Sequence, residues 1–132
     1  MGAAENKELI RNTFAELAKG NTAAFLGAMS DDVKFHLTGT TRFSGTFNGK
    51  KELTEKLLAP LSAALKEGVA ITPYNLIADG DFVAMQGQGK ALAKNGKRYD
   101  NHYCHVFRIA GGKIKEVTEY LDTALVDSVF GK

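Results

Sequence analysis

The strand-like stretch at residues 114–121 holds the side chain best suited to chemistry. Its alternation sets Val117, Glu119 and Leu121 on one face and Glu116, Thr118 and Tyr120 on the other. Glu119 therefore stands between two apolar neighbours. If that face is the interior one, the carboxylate loses water, and a desolvated carboxylate suits general-base or general-acid work near neutral pH. The alternative is a carboxylate at the sheet margin, reaching solvent or pairing with Lys or Arg. His36 and Asn101 are the other catalytic candidates. His36 shares a face with Lys34 and Thr38, opposite Val33, Phe35 and Leu37; an imidazole takes up protons near neutrality, and it also serves as an ordinary surface or packing group. Asn101 shares a face with Tyr99, Tyr103, His105 and Phe107. An amide there either donates to a ligand carbonyl or is satisfied by nearby backbone.

Further candidates are weaker chemically. Gln86 and Gln88 share one strand face and either line a pocket or face water. The run His102-Tyr103-Cys104-His105 contains metal-ligand types, but alternation sends His102 and Cys104 one way and His105 the other. A tetrahedral metal site needs convergent ligands, so no metal is expected. Gly49-Lys50-Lys51 lacks the spacing of a phosphate loop. Cys104, on a strand, reads as a small hydrophobe rather than a nucleophile. No cofactor is implied.

The elements that must position these groups follow from periodicity. Leu9, Ile10, Phe14 and Leu17 predict a helix over 5–18, ended by Gly20. A short helix over 22–29 follows, with Asn21 as its N-cap; Ser30-Asp31-Asp32 then breaks the pattern. A strand is expected over 33–37 and an irregular turn over 38–49. A third helix over 50–66 carries Leu53, Leu57, Leu58, Leu61 and Leu65, with Pro60 as a kink or break. Strands are expected over 69–78, 82–92, 99–109 and 114–121, with Pro73 marking the first as an edge or bulged strand. A short helix over 124–130 closes the pattern. Helices first and an antiparallel meander last predict an α+β fold, with helices on one face of a curved sheet.

Composition sets bounds. The 132 residues suit one domain spanning 1–132, with 44% apolar and 24% charged residues. The formal charge of +2 is spread along the chain rather than gathered on one face, which argues against nucleic acid as a partner. With one cysteine there is no internal disulfide, which fits a reducing cytoplasm. No signal-peptide core is seen at the N-terminus, no apolar run approaches the roughly 20 residues of a membrane span, and Asn6 stands where a myristoylation signal wants Ser or Thr. Neither a membrane partner nor export is expected.

Several segments resemble a known family. Leu17-Ala18-Lys19-Gly20-Asn21, Met29-Ser30-Asp31-Asp32-Val33 and Gly45-Thr46-Phe47-Asn48-Gly49-Lys50 are similar to the opening of nuclear transport factor 2-like domains. Tyr99-Asp100-Asn101-His102-Tyr103, Val106-Phe107-Arg108-Ile109, Gly112-Lys113-Ile114 and Glu119-Tyr120-Leu121-Asp122-Thr123 resemble the SnoaL-like, ketosteroid-isomerase-related branch. The resemblance spans nearly the whole chain. It implies a cone-shaped antiparallel sheet wrapped around a long helix, about three N-terminal helices, and a pocket for a small, mostly apolar molecule. It also implies a homodimer through the outer sheet face, on which Ile114 and Tyr120 would lie.

By this resemblance His36 occupies the general-base position of the isomerases, Asn101 an oxyanion-hole position, and Thr13 the oxyanion-hole tyrosine position. Thr13 is too short to replace a tyrosine hydroxyl, so the family's steroid isomerisation is not expected. Gln86 and Gln88 fall where epoxide-hydrolase members carry Arg and Asp, and two amides cannot relay charge. Phe35, Tyr103 and Leu121, with Thr13, Gln86 and Gln88, are the expected substrate contacts, and Glu119 or His36 the expected base. Because this fold hosts many activities, two functions stay open. One is a cofactor-free acid–base enzyme acting beside a carbonyl, as an isomerase, aldol cyclase or dehydratase. The other is a non-catalytic binding or interaction module.

Overall fold

The computed structural model describes residues 2–132. Helix α1 (Ala3–Ala18) turns Asn6, Ile10, Thr13 and Phe14 inward, the spacing of one helical face. It ends at Gly20, whose φ of 85° only glycine adopts freely. Asn21 then caps α2 (Thr22–Gly27), its side chain accepting a hydrogen bond from the Ala24 backbone N–H at 3.1 Å. The third helix runs without interruption as α3 (Gly49–Leu53), a π-helical turn (Thr54–Leu58) and α4 (Ala59–Ala64). Pro60 explains the widened turn. A proline clashes with the carbonyl four residues back, here within the π segment, and the wider turn relieves that clash without breaking the helix.

Six strands form a curved, unclosed sheet: β1 (Met29–Leu37), β2 (Gly45–Asn48), β3 (Ala70–Asp79), β4 (Phe82–Lys90), β5 (His102–Ala110) and β6 (Lys113–Leu121), in the order β2-β1-β6-β5-β4-β3. The β3–β6 meander is antiparallel, and β1 joins it parallel to β6. Helix α1 packs on the concave side of β3 and β4, and α5 (Thr123–Phe130) follows the last strand. The fold is α+β, as expected. No helix among the described residues is long and apolar enough to cross a membrane.

Departures from simple alternation have physical causes. Ser30, Asp31 and Asp32 belong to β1 rather than breaking before it; the strand shifts register between Met29 and Lys34, and both aspartates face solvent near Lys50 and Lys115. Strand β3 is an edge strand, and its pairing shifts between Pro73 and Asn75, where the proline cannot donate to the ladder. Ile114, expected on the outer face, is fully buried. Ile109 pairs with Ile114 but Arg108 pairs with Glu116, so Lys115 is an extra residue. Such a bulge flips the faces on one side of it. Beyond it the alternation is as expected, with Val117 buried and Tyr120 half-exposed.

The core lies between α1 and the concave face, where Phe14 meets Phe107 edge-on at 5.9 Å. One close approach matters for the site. A Cβ on Gly89 would stand 2.6 Å from the Tyr103 ring and 3.0 Å from the Asn101 carbonyl. Gly89→Ala is therefore expected to destabilise the fold by about 1–3 kcal/mol through overpacking. Urea unfolding measures this; an unchanged midpoint would mean that the Tyr103 ring is free to swing away.

Candidate functional site

A cavity of ≈ 210 Å³ lies inside the cone. Phe35 and Leu37 of β1, Leu57 and Leu61 of the third helix, Leu121 of β6 and Val126 of α5 give it mostly apolar walls. Thr22, Ser62 and Gly68 both line it and reach solvent, so they mark its mouth. Among the described residues no lysine or arginine lines it.

The polar groups cluster on one wall. His105 and Glu119 are direct cross-strand partners on the inner faces of β5 and β6. His105 Nε2 lies 2.9 Å from Glu119 Oε1, with the two side chains 4% and 13% exposed. The imidazole is layered between Tyr103 and Phe107, its neighbours two residues either way, with ring centroids at 5.5 and 5.7 Å. Nδ1 is buried without a partner. A ring protonated at Nε2 donates to Glu119 and leaves only a lone pair at Nδ1, whereas an N–H there would be a buried donor with nothing to meet. Glu119 Oε2 accepts no hydrogen bond from any described residue, and the carboxylate keeps an open side toward the cavity.

Tyr99 and Tyr103 line the same cavity. Burial is the main cause that holds the Tyr103 hydroxyl well above its ordinary titration range, with the nearby Tyr99 and Glu119 adding to it. Burial likewise raises Tyr99, partly offset by the Asn101 amide that donates to its hydroxyl at 3.3 Å. Both phenols therefore stay neutral and remain O–H donors.

Glu119, Phe35, Tyr103 and Leu121 line the cavity. The structure sets the remaining candidates elsewhere. His36 is exposed on the convex side, its Nδ1 2.8 Å from Thr46 Oγ1, because its strand parity opposes Phe35. Although its strand runs beside that of Glu119, its side chain lies on the opposite face and does not share the cavity. Asn101 is fully buried, but its amide is spent on scaffold. Oδ1 accepts from the backbone N–H of His102 and Asp122, and Nδ2 donates to the Asp122 carbonyl and Tyr99. Thr13 bonds back to the Leu9 carbonyl within α1 at 2.7 Å, and Phe14, its neighbour, takes the cavity wall. Gln86 accepts from Asn75 on the convex face, and Gln88 donates to carbonyls of Gly89, Asp100 and Asn101. Sequence reasoning missed His105 and Tyr99 as site residues. The signal was present, since His105 has the parity of Tyr103 and Phe107. Among the described residues no three His, Cys, Asp or Glu side chains gather as metal ligands would.

The tyrosines give a pH signature. A group whose titration point is raised in the fold stabilises it fully below the unfolded value, here the ordinary 10.0, and that stability is lost as pH rises through the folded value. Stability in urea should therefore fall from about pH 10 upward, and Tyr103→Phe should flatten the decline. The same decline in the variant would place its cause elsewhere.

A model of the SnoaL-like domain matches residues 10–117. An uncharacterized protein of Mycobacterium tuberculosis is 25% identical over 122 residues, covering 92% of each chain. Among solved structures, an NTF2-like protein of unknown function from Burkholderia pseudomallei superimposes with a TM-score of 0.86 at 19% identity, over 100% of both chains. TerC, co-crystallized with polyporic acid, superimposes with a TM-score of 0.84 at 22% identity, over 97% of this chain and 99% of its own. With the family match spanning most of the cone described above, the chain belongs to the SnoaL-like domain family.

Proposed function

We propose that this chain binds a small, mostly apolar carbonyl compound in the cavity and moves a proton at the carbon beside the carbonyl, without a cofactor. The observation that carries this reading is a carboxylate with one oxygen held by a buried histidine and the other free, in a wall otherwise apolar or phenolic. Glu119 Oε2 takes the proton from carbon, and the C–H electron pair forms the enolate. The developing charge on oxygen meets a neutral phenol, Tyr103 or Tyr99, whose hydrogen bond strengthens as that charge grows. Returning the proton to another carbon of the conjugated enolate gives isomerisation; attack of the enolate on a second carbonyl, whose oxygen takes the proton from Glu119, gives aldol ring closure; loss of a β-hydroxyl, which leaves as water with that proton, gives dehydration. His105 is a positioning residue that fixes the carboxylate. TerC, a chain of the same shape, was co-crystallized with polyporic acid, which is in keeping with a fold that holds small molecules.

The second reading, a non-catalytic binding module, is favoured by one observation. Asn101, the expected enolate donor, has no free amide N–H to offer, since Nδ2 donates to the Asp122 carbonyl and the Tyr99 hydroxyl. Proton exchange separates the two readings. In deuterated buffer the protein should speed exchange at the α-carbon of an enolisable ketone such as β-tetralone. Glu119→Gln should slow that exchange about 10²–10⁴-fold while leaving binding within a few-fold. Binding without faster exchange, in wild type and variant alike, would leave the module.

A homodimer through the convex face is part of this proposal. Tyr74, Ile77, Phe82 and Tyr120 are 49–60% exposed there and on its rim, more large apolar surface than a lone face needs. Ile77→Lys should shift sedimentation toward monomer; an unchanged sedimentation coefficient would move the interface elsewhere or remove it.

A further inference from the structure

Charge and size at the cavity narrow the ligand class beyond an apolar carbonyl compound. This step rests on the reading above that the cavity is the ligand site. Its lining holds one carboxylate, Glu119, and no lysine or arginine. The neighbouring cations lie outside it, with Lys66 exposed between the lining residues Leu65 and Gly68 and three others engaged elsewhere. Arg42 donates to the Phe130 carbonyl at the end of α5, Lys97 to the Ser128 carbonyl, and Arg108 pairs with Glu116 on the convex face. The one imidazole in the wall already points Nε2 at Glu119. An anionic ligand group inside the cavity would therefore meet a carboxylate with no lysine or arginine in the wall to offset it. At about 4 Å and an effective dielectric of about 20, that repulsion is on the order of a thousandfold in affinity.

Size restricts the class further. A dry cavity of about 150 Å³ holds one benzene ring. This one, at ≈ 210 Å³, holds one ring with substituents or two fused rings, and a four-ring skeleton does not fit inside it. The polar wall asks for two features at once. The neutral Tyr99 and Tyr103 hydroxyls, which also meet each other, offer an O–H donor for a carbonyl oxygen, and the open Glu119 oxygen is an acceptor for an acidic C–H or O–H.

We infer that the cavity takes neutral, enolisable ketones or enols of one or two rings, and rejects both carboxylates of the same size and four-ring ketones. The test is calorimetric titration of the wild-type protein at neutral pH with β-tetralone, β-naphthoate and progesterone. Expected is binding of β-tetralone, with β-naphthoate at least about a hundredfold weaker and progesterone without heat. Glu119→Gln should narrow the gap between β-tetralone and β-naphthoate tenfold or more. Equal affinity for β-naphthoate and β-tetralone overturns the charge filter, and progesterone binding as tightly as β-tetralone overturns the size limit. Either result leaves the acid–base reading standing. No binding by any of the three, together with no catalysed exchange of β-tetralone, overturns both.

Discussion

A carboxylate placed inside an apolar cone costs free energy unless a donor meets it, and the 2.9 Å hydrogen bond between His105 and Glu119 provides one. The rest of the site depends on that contact. It requires β5 and β6 to keep their register so that the two residues face each other, since a slip of one residue would send Glu119 to solvent. The bulge at Lys115 lets β6 keep both Ile114 and Val117 inside while leaving the 117-119-121 phase intact. The imidazole in turn is fixed by the rings of Tyr103, Phe107 and Phe14 packed around it. Aromatic packing thus sets the histidine, and the histidine sets the carboxylate.

Asn101 shows how the scaffold serves the cavity without joining it. Two of its four hydrogen bonds tie the start of β5 to Asp122, the residue that follows β6 and caps α5 through the Leu125 N–H, and the other two hold Tyr99 and the His102 N–H. Helix α5 then brings Val126 to the cavity and Phe130 against Tyr99 and Phe43. Losing the amide would loosen the end of the cone and the placement of Tyr99 together. A buried, fully satisfied amide of this kind specifies one arrangement of the elements around it.

Much of this was legible in the sequence because it depends on local period. The inward phase of Val33, Phe35 and Leu37, the Asn21 cap, the edge-or-bulge character of the Pro73 strand and the shared face of Val117, Glu119 and Leu121 all follow from alternation, capping and the missing proline donor; that this face lines the cavity rather than the sheet margin comes from the pairing of β5 with β6. The bulge at Lys115 was not legible. It arises from pairing with β5, and nothing within residues 113–117 announces it. His36 was legible as a convex-face residue by parity; only the resemblance to the isomerases placed it at the base position. His105 was overlooked because its value comes from a partner fourteen residues away across the ladder. Asn101 had the right face, but its hydrogen-bond partners lie in a turn whose geometry a periodicity argument does not reach.

The proposed chemistry depends on Glu119 presenting a free oxygen to a ligand held in the cavity. A crystal structure of the protein soaked with β-tetralone tests it most directly. The account predicts the two rings inside the cone, the α-carbon about 3–3.5 Å from Glu119 Oε2 as a reacting pair must be, and the ketone oxygen toward a tyrosine hydroxyl. A ligand lodged only on the convex face or in the groove between α1 and β3, with the cavity side of Glu119 untouched, would contradict it.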